Sequence, residues 1–210
     1  MSRPMPRLFL IRHGETEWTI NGRHTGRSDI PLTENGVKII ERNRTRIVGP
    51  DSKESLTDVY PRLKWRSSLE LVQVPNICHV LVSPRQRAQK TFFTLFEGQD
   101  LPSYETTESV REWDYGDYEG LHISEIKAKN PDWIIWRDGC PNGESVEDIT
   151  KRIDGTIEKV EKVREYHRKY KEEGVGKRDM VIVAHGHFLR AFIARWVEFD
   201  LCLGMYLPGV

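Results

Sequence analysis

The chain has 210 residues, 38% hydrophobic and 30% charged, with 32 Lys plus Arg balanced by 32 Asp plus Glu. That length suits one core, read as a single domain over 1–210, and zero net charge excludes bulk electrostatic capture of nucleic acid or an anionic membrane. Cys78, Cys140 and Cys202 form no CxxC pair, no apolar run approaches membrane-spanning length, and the N-terminus lacks a signal-peptide core, so a reducing, cytoplasmic setting is expected.

The first apolar run, Leu8-Phe9-Leu10-Ile11, has the length of a buried strand and stops at Arg12-His13-Gly14. In open α/β sheets ligands bind at the carboxyl ends of strands. Arg12 offers a planar fork of donors suited to phosphate. Gly14 is expected to turn the backbone and leave its N–H open to an anion. His13 is the uncharged group here that could attack phosphorus near neutral pH. Trp18 to Gly22 then reads as a turn, from its Asn-Gly. Arg23 to Asp29 is a polar loop, either a pocket lining or a solvated connection. Thr33 caps a helix with Val37, Ile40 and Ile47 on one face. Residues 49–75 lack periodicity and read as a surface insertion or a long loop.

A second apolar strand, His79 to Val82, runs into Ser83-Pro84-Arg85-Gln86-Arg87-Ala88. Ala88, Thr91, Phe92, Leu95 and Phe96 then keep helical spacing. Arg85 and Arg87 therefore sit where a helix N-terminus would add to their attraction for an anion. From Val110 to Gly120 acidic and aromatic residues interleave. Either one carboxylate is desolvated and suited to general acid work, or the loop is acidic and its aromatics pack on the core. Spacing alone does not separate Glu112 from Glu119. Pro131 to Trp136 is an aromatic turn or short helix, followed by a loop to Gly143. Ser145 to Asp148 forms a capping box for the longest helix, whose buried stripe is Val146, Ile149, Ile153, Ile157, Val160 and Val163 and whose stop is Gly174-Val175-Gly176. A third strand, Met180 to Ala184, runs into His185-Gly186-His187 and a helix carrying Phe188, Leu189, Phe192, Ile193 and Trp196. The apolar close, Leu201 to Val210, has no terminus signal.

Three buried strands thus end in Arg or His and turn into helices. If they are parallel and adjacent, their ends converge on one cavity, which argues for an enzyme. Three chemistries fit. A metal on His13, His185 and His187 is disfavoured by the neighbouring Arg and by the lack of a carboxylate at ligand spacing. A phosphate-binding module needs the Arg but not two His. Phosphoryl transfer through a phosphohistidine uses every member.

In order, RHGETEW, HTGRSDIPLTENG, SPRQRAQKT, REWDYGDYEG and AHGH resemble the histidine phosphatase superfamily, from about Leu8 to about Trp196, and most closely its fungal sedoheptulose-1,7-bisphosphatase branch. The resemblance implies a phosphoglycerate mutase-like α/β fold, a three-layer α/β/α sandwich on a mixed, mostly parallel sheet. It implies no cofactor and no metal. It assigns the nucleophile to His13 and the phosphoryl clamp to Arg12, Arg87 and His185, Arg87 rather than Arg85 because it directly precedes Ala88. It makes Glu112 the general acid and base. Substrate contacts fall to Thr25, Tyr115 and Arg190, with Gly186 beside His185, and to His24, where a family relative carries Tyr. The family continues past the AHGH helix, so a C-terminal segment is expected to be lacking. The expected substrate is a small sugar bisphosphate such as sedoheptulose 1,7-bisphosphate. Phosphoglycerate mutase, another small phosphomonoester phosphatase, or a non-catalytic binder of phosphorylated ligands remain alternatives. Nucleic acid and membrane partners are not expected, and oligomeric state has no signal.

Overall fold

A computed structural model describes residues 6–48, 72, 74–171 and 177–207. The three apolar segments become strands β1 (Leu8–Arg12), β2 (Ile77–Val82) and β4 (Asp179–Ala184), and a short polar strand not read from the sequence, β3 (Tyr104–Thr106), joins them. Their order is β1-β4-β2-β3 and every neighbouring pair is parallel. A mixed sheet was expected; the described strands are parallel throughout. Each crossover contains a helix that returns the chain to the same end of the sheet.

The helices are α1 (Glu17–Asn21), α2 (Glu34–Ile47), α3 (Gln86–Leu95), α4 (Ile123–Lys129), α5 (Ile135–Asp138), α6 (Val146–Lys171) and α7 (Gly186–Trp196). The segment read as a turn at Trp18 to Gly22 is α1. Thr16 caps it, accepting from Thr19 N at 3.1 Å, and Gly22 at φ 72° ends it, so the Asn-Gly pair marks a helix stop. The other caps follow the sequence. Thr33 Oγ1 accepts from Gly36 N at 2.9 Å, and Ser145 Oγ from Asp148 N at 3.1 Å. Residues 49–75, apart from 72, 74 and 75, lie outside the described residues, as do Gly174, Val175 and Gly176. The apolar close folds as a 3-10 helix, Leu201–Tyr206, which Asp200 caps and which packs on α7.

β4 is central, and all six of its residues are buried. That explains its unbroken apolar run. Val181 and Val183 join Val80, Val82, Ile40, Ala88 and Phe92 on the side of α2 and α3. Met180, Ile182 and Ala184 join Ile149, Ile153, Phe188 and Phe192 on the side of α6 and α7. Helices therefore cover both faces, which gives the three layers.

One polar contact ties this core to the segment between β3 and α4. The buried Glu144 carboxylate takes Arg152 Nε at 2.7 Å and Nη2 at 2.8 Å, Arg111 Nη2 at 2.9 Å and Asp114 N at 3.0 Å. Arg152 also donates to the carbonyls of Ser109 and Arg111, at 3.1 and 3.0 Å. Residues 109–114 are thereby pinned to α6. Glu144→Ala leaves Arg152 buried and uncompensated and should cost about 3–5 kcal/mol in urea unfolding. Asp154→Ala, which breaks the half-exposed pair with Arg195, should cost no more than about 1 kcal/mol. Equal losses would contradict the difference in burial.

Candidate functional site

Because β1 and β2 both flank β4, their carboxyl ends lie side by side. His13 N donates to Ala184 O and Ser83 N to Val183 O, each at 3.0 Å, so the ladder extends past the strands into the site. The rings of His13 and His185 are then 5.0 Å apart, edge to face. His185 Nε2 lies 2.7 Å from Ser83 Oγ.

Gly14 does not behave as expected. Its N–H is not open but donates to Thr91 Oγ1 at 3.0 Å. A Cβ at Gly14 would stand 2.7 Å from Ile40 Cδ1, so the glycine serves close packing of β1 against α2.

His13 donates from Nδ1 to its neighbour's carbonyl, Gly14 O, at 2.7 Å. The tautomer follows, because a carbonyl only accepts: the lone pair is on Nε2. Burial pushes the His13 pKa down to about 3, and the Arg87 charge adds to this. Arg12 acts in the same direction but is the smallest of the causes. Arg12 is exposed where Arg87 is buried, and solvent screens it. A neutral imidazole with a fixed ring and a free lone pair can attack an electrophilic phosphorus.

Arg87 and His185 are fully buried. Neither is among the residues that line the cleft surface. Arg87 donates to Ser28 O at 2.8 Å and Thr25 O at 2.9 Å. Its Nε has no partner, nor has His185 Nδ1. Among the described residues these are two of three buried side-chain nitrogen or oxygen atoms left without one. Unpaired buried polar atoms are costly, and two beside one imidazole suit an anionic group that arrives from outside.

The structure also separates the two carboxylates. Glu112 accepts from Phe188 N at 2.8 Å, Trp113 N at 2.9 Å and His187 N at 3.1 Å, which seats it at the N-terminus of α7 and in the cleft wall. Glu119 instead accepts from Gly26 N and Ser28 N, both at 2.9 Å, and braces the polar loop.

The cleft holds about 220 Å³. Arg12, His13, His24, Thr25, Glu112, Tyr115, Gly186 and Arg190 line it, together with Trp18, Thr19, Gly22, Arg23 and His187. So the polar loop does line a pocket. Gly186 lies against Arg12: a Cβ there would make ordinary contact with the guanidinium carbon at 3.4 Å. The Tyr115 hydroxyl pairs with His187 Nδ1 at 2.7 Å, and His24 packs its edge on Tyr115 and stacks on His187. Arg190 is held by Gly204 O at 2.9 Å and Met205 O at 2.7 Å. Thr25 Oγ1 bonds Arg23 O at 3.1 Å. Arg23 and His187 were not singled out for substrate contact; their position in HGH and in the polar loop was the available signal. Among the described residues no three His, Cys, Asp or Glu side chains converge as a bound metal would require.

The model of the histidine phosphatase superfamily (branch 1) matches residues 8–60 and 64–207, and the chain belongs to that family. It is accordingly a phosphoric monoester hydrolase in class. It is 36% identical to an acid phosphatase of Mycobacterium tuberculosis over 94% of this chain and 79% of the relative. It is also 36% identical to the sedoheptulose 1,7-bisphosphatase of Saccharomyces cerevisiae, over 91% of this chain and 67% of that one. The solved structure of an open reading frame product of M. tuberculosis superposes with a TM-score of 0.69 at 32% identity, covering 97% of this chain and 86% of the other.

Three imidazoles of the site set a pH dependence. His13 and His187 are pushed down to about 3 and His185 well below its ordinary value of 6.5. Between pH 6.5 and about 3 the unfolded chain carries protons on these rings that the folded chain does not. Stability therefore rises with pH there and is lost as pH falls. The urea midpoint should drop steadily from about pH 7 to about pH 5, and less steeply in His187→Gln. Parallel profiles for the two proteins would count against a neutral His187.

Proposed function

We propose that this histidine phosphatase hydrolyses a small sugar bisphosphate through a phosphohistidine on His13. The observation that carries the reading is the neutral His13 ring, fixed through Nδ1, in a cleft with Arg12 and backed by Arg87 and His185. His13 Nε2 attacks phosphorus in line and the bond to the ester oxygen breaks. Glu112 gives the departing alkoxide its proton. It then takes one from a water whose oxygen displaces Nε2, releasing inorganic phosphate and restoring the ring. Arg12, Arg87 and His185 stabilise the charge on the equatorial oxygens.

Two further cations support a second phosphate. Arg23 and Arg190 line the same cleft as His13, beside His24, Thr25 and Tyr115. The yeast relative named for a sugar bisphosphate points the same way. The three cysteines are free, which supports the cytoplasm as its place of action.

Phosphate release is measured without added metal from sedoheptulose 1,7-bisphosphate, fructose 1,6-bisphosphate and 3-phosphoglycerate. Wild type should favour a bisphosphate and His13→Ala should release none. Arg87→Lys should lose on the order of a hundredfold or more in kcat. Preference for 3-phosphoglycerate would sink the sugar bisphosphate assignment. An active His13→Ala enzyme would sink the nucleophile.

A further inference from the structure

We propose that Ser83 is a positioning residue that holds His185 in the tautomer with its proton on Nδ1, so that this nitrogen donates to the phosphoryl group being transferred. The inference rests on the phosphohistidine reading above and adds how one of its donors is prepared.

Ser83 directly follows β2, fully buried, with its backbone locked by the bond from Ser83 N to Val183 O at 3.0 Å. Its Oγ lies 2.7 Å from His185 Nε2 and accepts from Arg85 N at 3.4 Å. The hydroxyl has one proton and two lone pairs, and each nitrogen of a neutral imidazole is either donor or acceptor. Two arrangements are open. If Ser83 donates to Nε2, the hydroxyl proton is satisfied, Nε2 is satisfied, and Nδ1–H alone awaits a partner. If Nε2–H donates to Oγ, the hydroxyl receives two N–H groups. Its own proton then has no acceptor among the described residues, and the Nδ1 lone pair is unpaired as well. Both side chains are fully buried in the absence of substrate. The first arrangement leaves one group unsatisfied and the second leaves two, and each costs free energy when buried.

The chemistry of the cleft selects the same arrangement. A phosphoryl oxygen accepts hydrogen bonds and repels a lone pair. His185 lies against His13, ring centroids 5.0 Å apart, and its unpartnered nitrogen is Nδ1. With the proton there, Nδ1–H and the Arg87 Nε–H are two donors near His13 that the protein leaves unpaired. With the proton on Nε2, one of the two would oppose the substrate.

The test begins with nitrogen-15 NMR of the full chain labelled at histidine, the His185 signals being identified by their loss in His185→Gln. Wild type should show His185 protonated at Nδ1 with Nε2 as acceptor. Ser83→Ala should lose that single tautomer. With p-nitrophenyl phosphate as probe, Ser83→Ala should drop in kcat on the order of a hundredfold, the worth of one lost donor, with a smaller change in KM. Ser83→Thr, which keeps the hydroxyl, should restore both the signal and the rate. A wild-type ring protonated at Nε2 overturns the proposal whatever the activity, and so does a Ser83→Ala enzyme with undiminished kcat. A wild type with the expected tautomer but no phosphatase activity would overturn the catalytic reading instead.

Discussion

Two backbone hydrogen bonds, from His13 N to Ala184 O and from Ser83 N to Val183 O, fix the geometry on which the site depends. Each continues a parallel ladder one residue beyond its strand. They bring residues far apart in the chain to neighbouring positions, with no loop flexibility between them. The apolar residues of β4 supply the force. Fully buried on both faces, they hold β1 and β2 in register, and the register sets where His13, Ser83 and His185 emerge.

Such a site works against the fold that carries it. A buried guanidinium and two buried neutral imidazoles, with one nitrogen of Arg87 and one of His185 left without a partner, are unfavourable in a dry interior. The surrounding structure offsets this. The Glu144 and Arg152 pair anchors residues 109–114, and with them Glu112, onto α6. Three backbone N–H groups then seat the Glu112 carboxylate. Polar groups that face the cleft are thus supported by polar groups that do not, and the apolar cores on either face close around both.

The sequence made the strand endings legible because a buried parallel strand is an unbroken apolar run and its end is abrupt. Leu8 to Ile11 and Met180 to Ala184 needed no more than that. The capping hydroxyls of Thr33 and Ser145 were equally local. What stayed hidden depended on partners distant in the chain. Gly14 read as an anion contact, but its N–H belongs to Thr91, 77 residues away. Glu112 and Glu119 looked alike until one met the start of α7 and the other met Gly26 and Ser28. The weight of Arg87 over Arg12 on His13 reflects burial, which no spacing reveals. The parallel course of every described strand was open too, because strand direction follows from the crossovers.

The polar loop after α1 is held chiefly by its main chain. Glu119 takes the N–H groups of Gly26 and Ser28, Arg87 the carbonyls of Thr25 and Ser28, and Arg85 the carbonyl of Gly26. At Gly26 a Cβ would stand 2.4 Å from Trp113 O, so glycine is required there. Side chains of the loop add to this hold: Arg23 Nη1 donates to Gly120 O at 2.6 Å, and His24 Nδ1 lies 2.9 Å from Leu121 O. Exchanging Arg23, His24 or Thr25 would still leave the main-chain bonds to Glu119, Arg85 and Arg87 in place. A family built this way can take on new substrates without rebuilding its reactive centre, and its members can diverge in specificity faster than in chemistry.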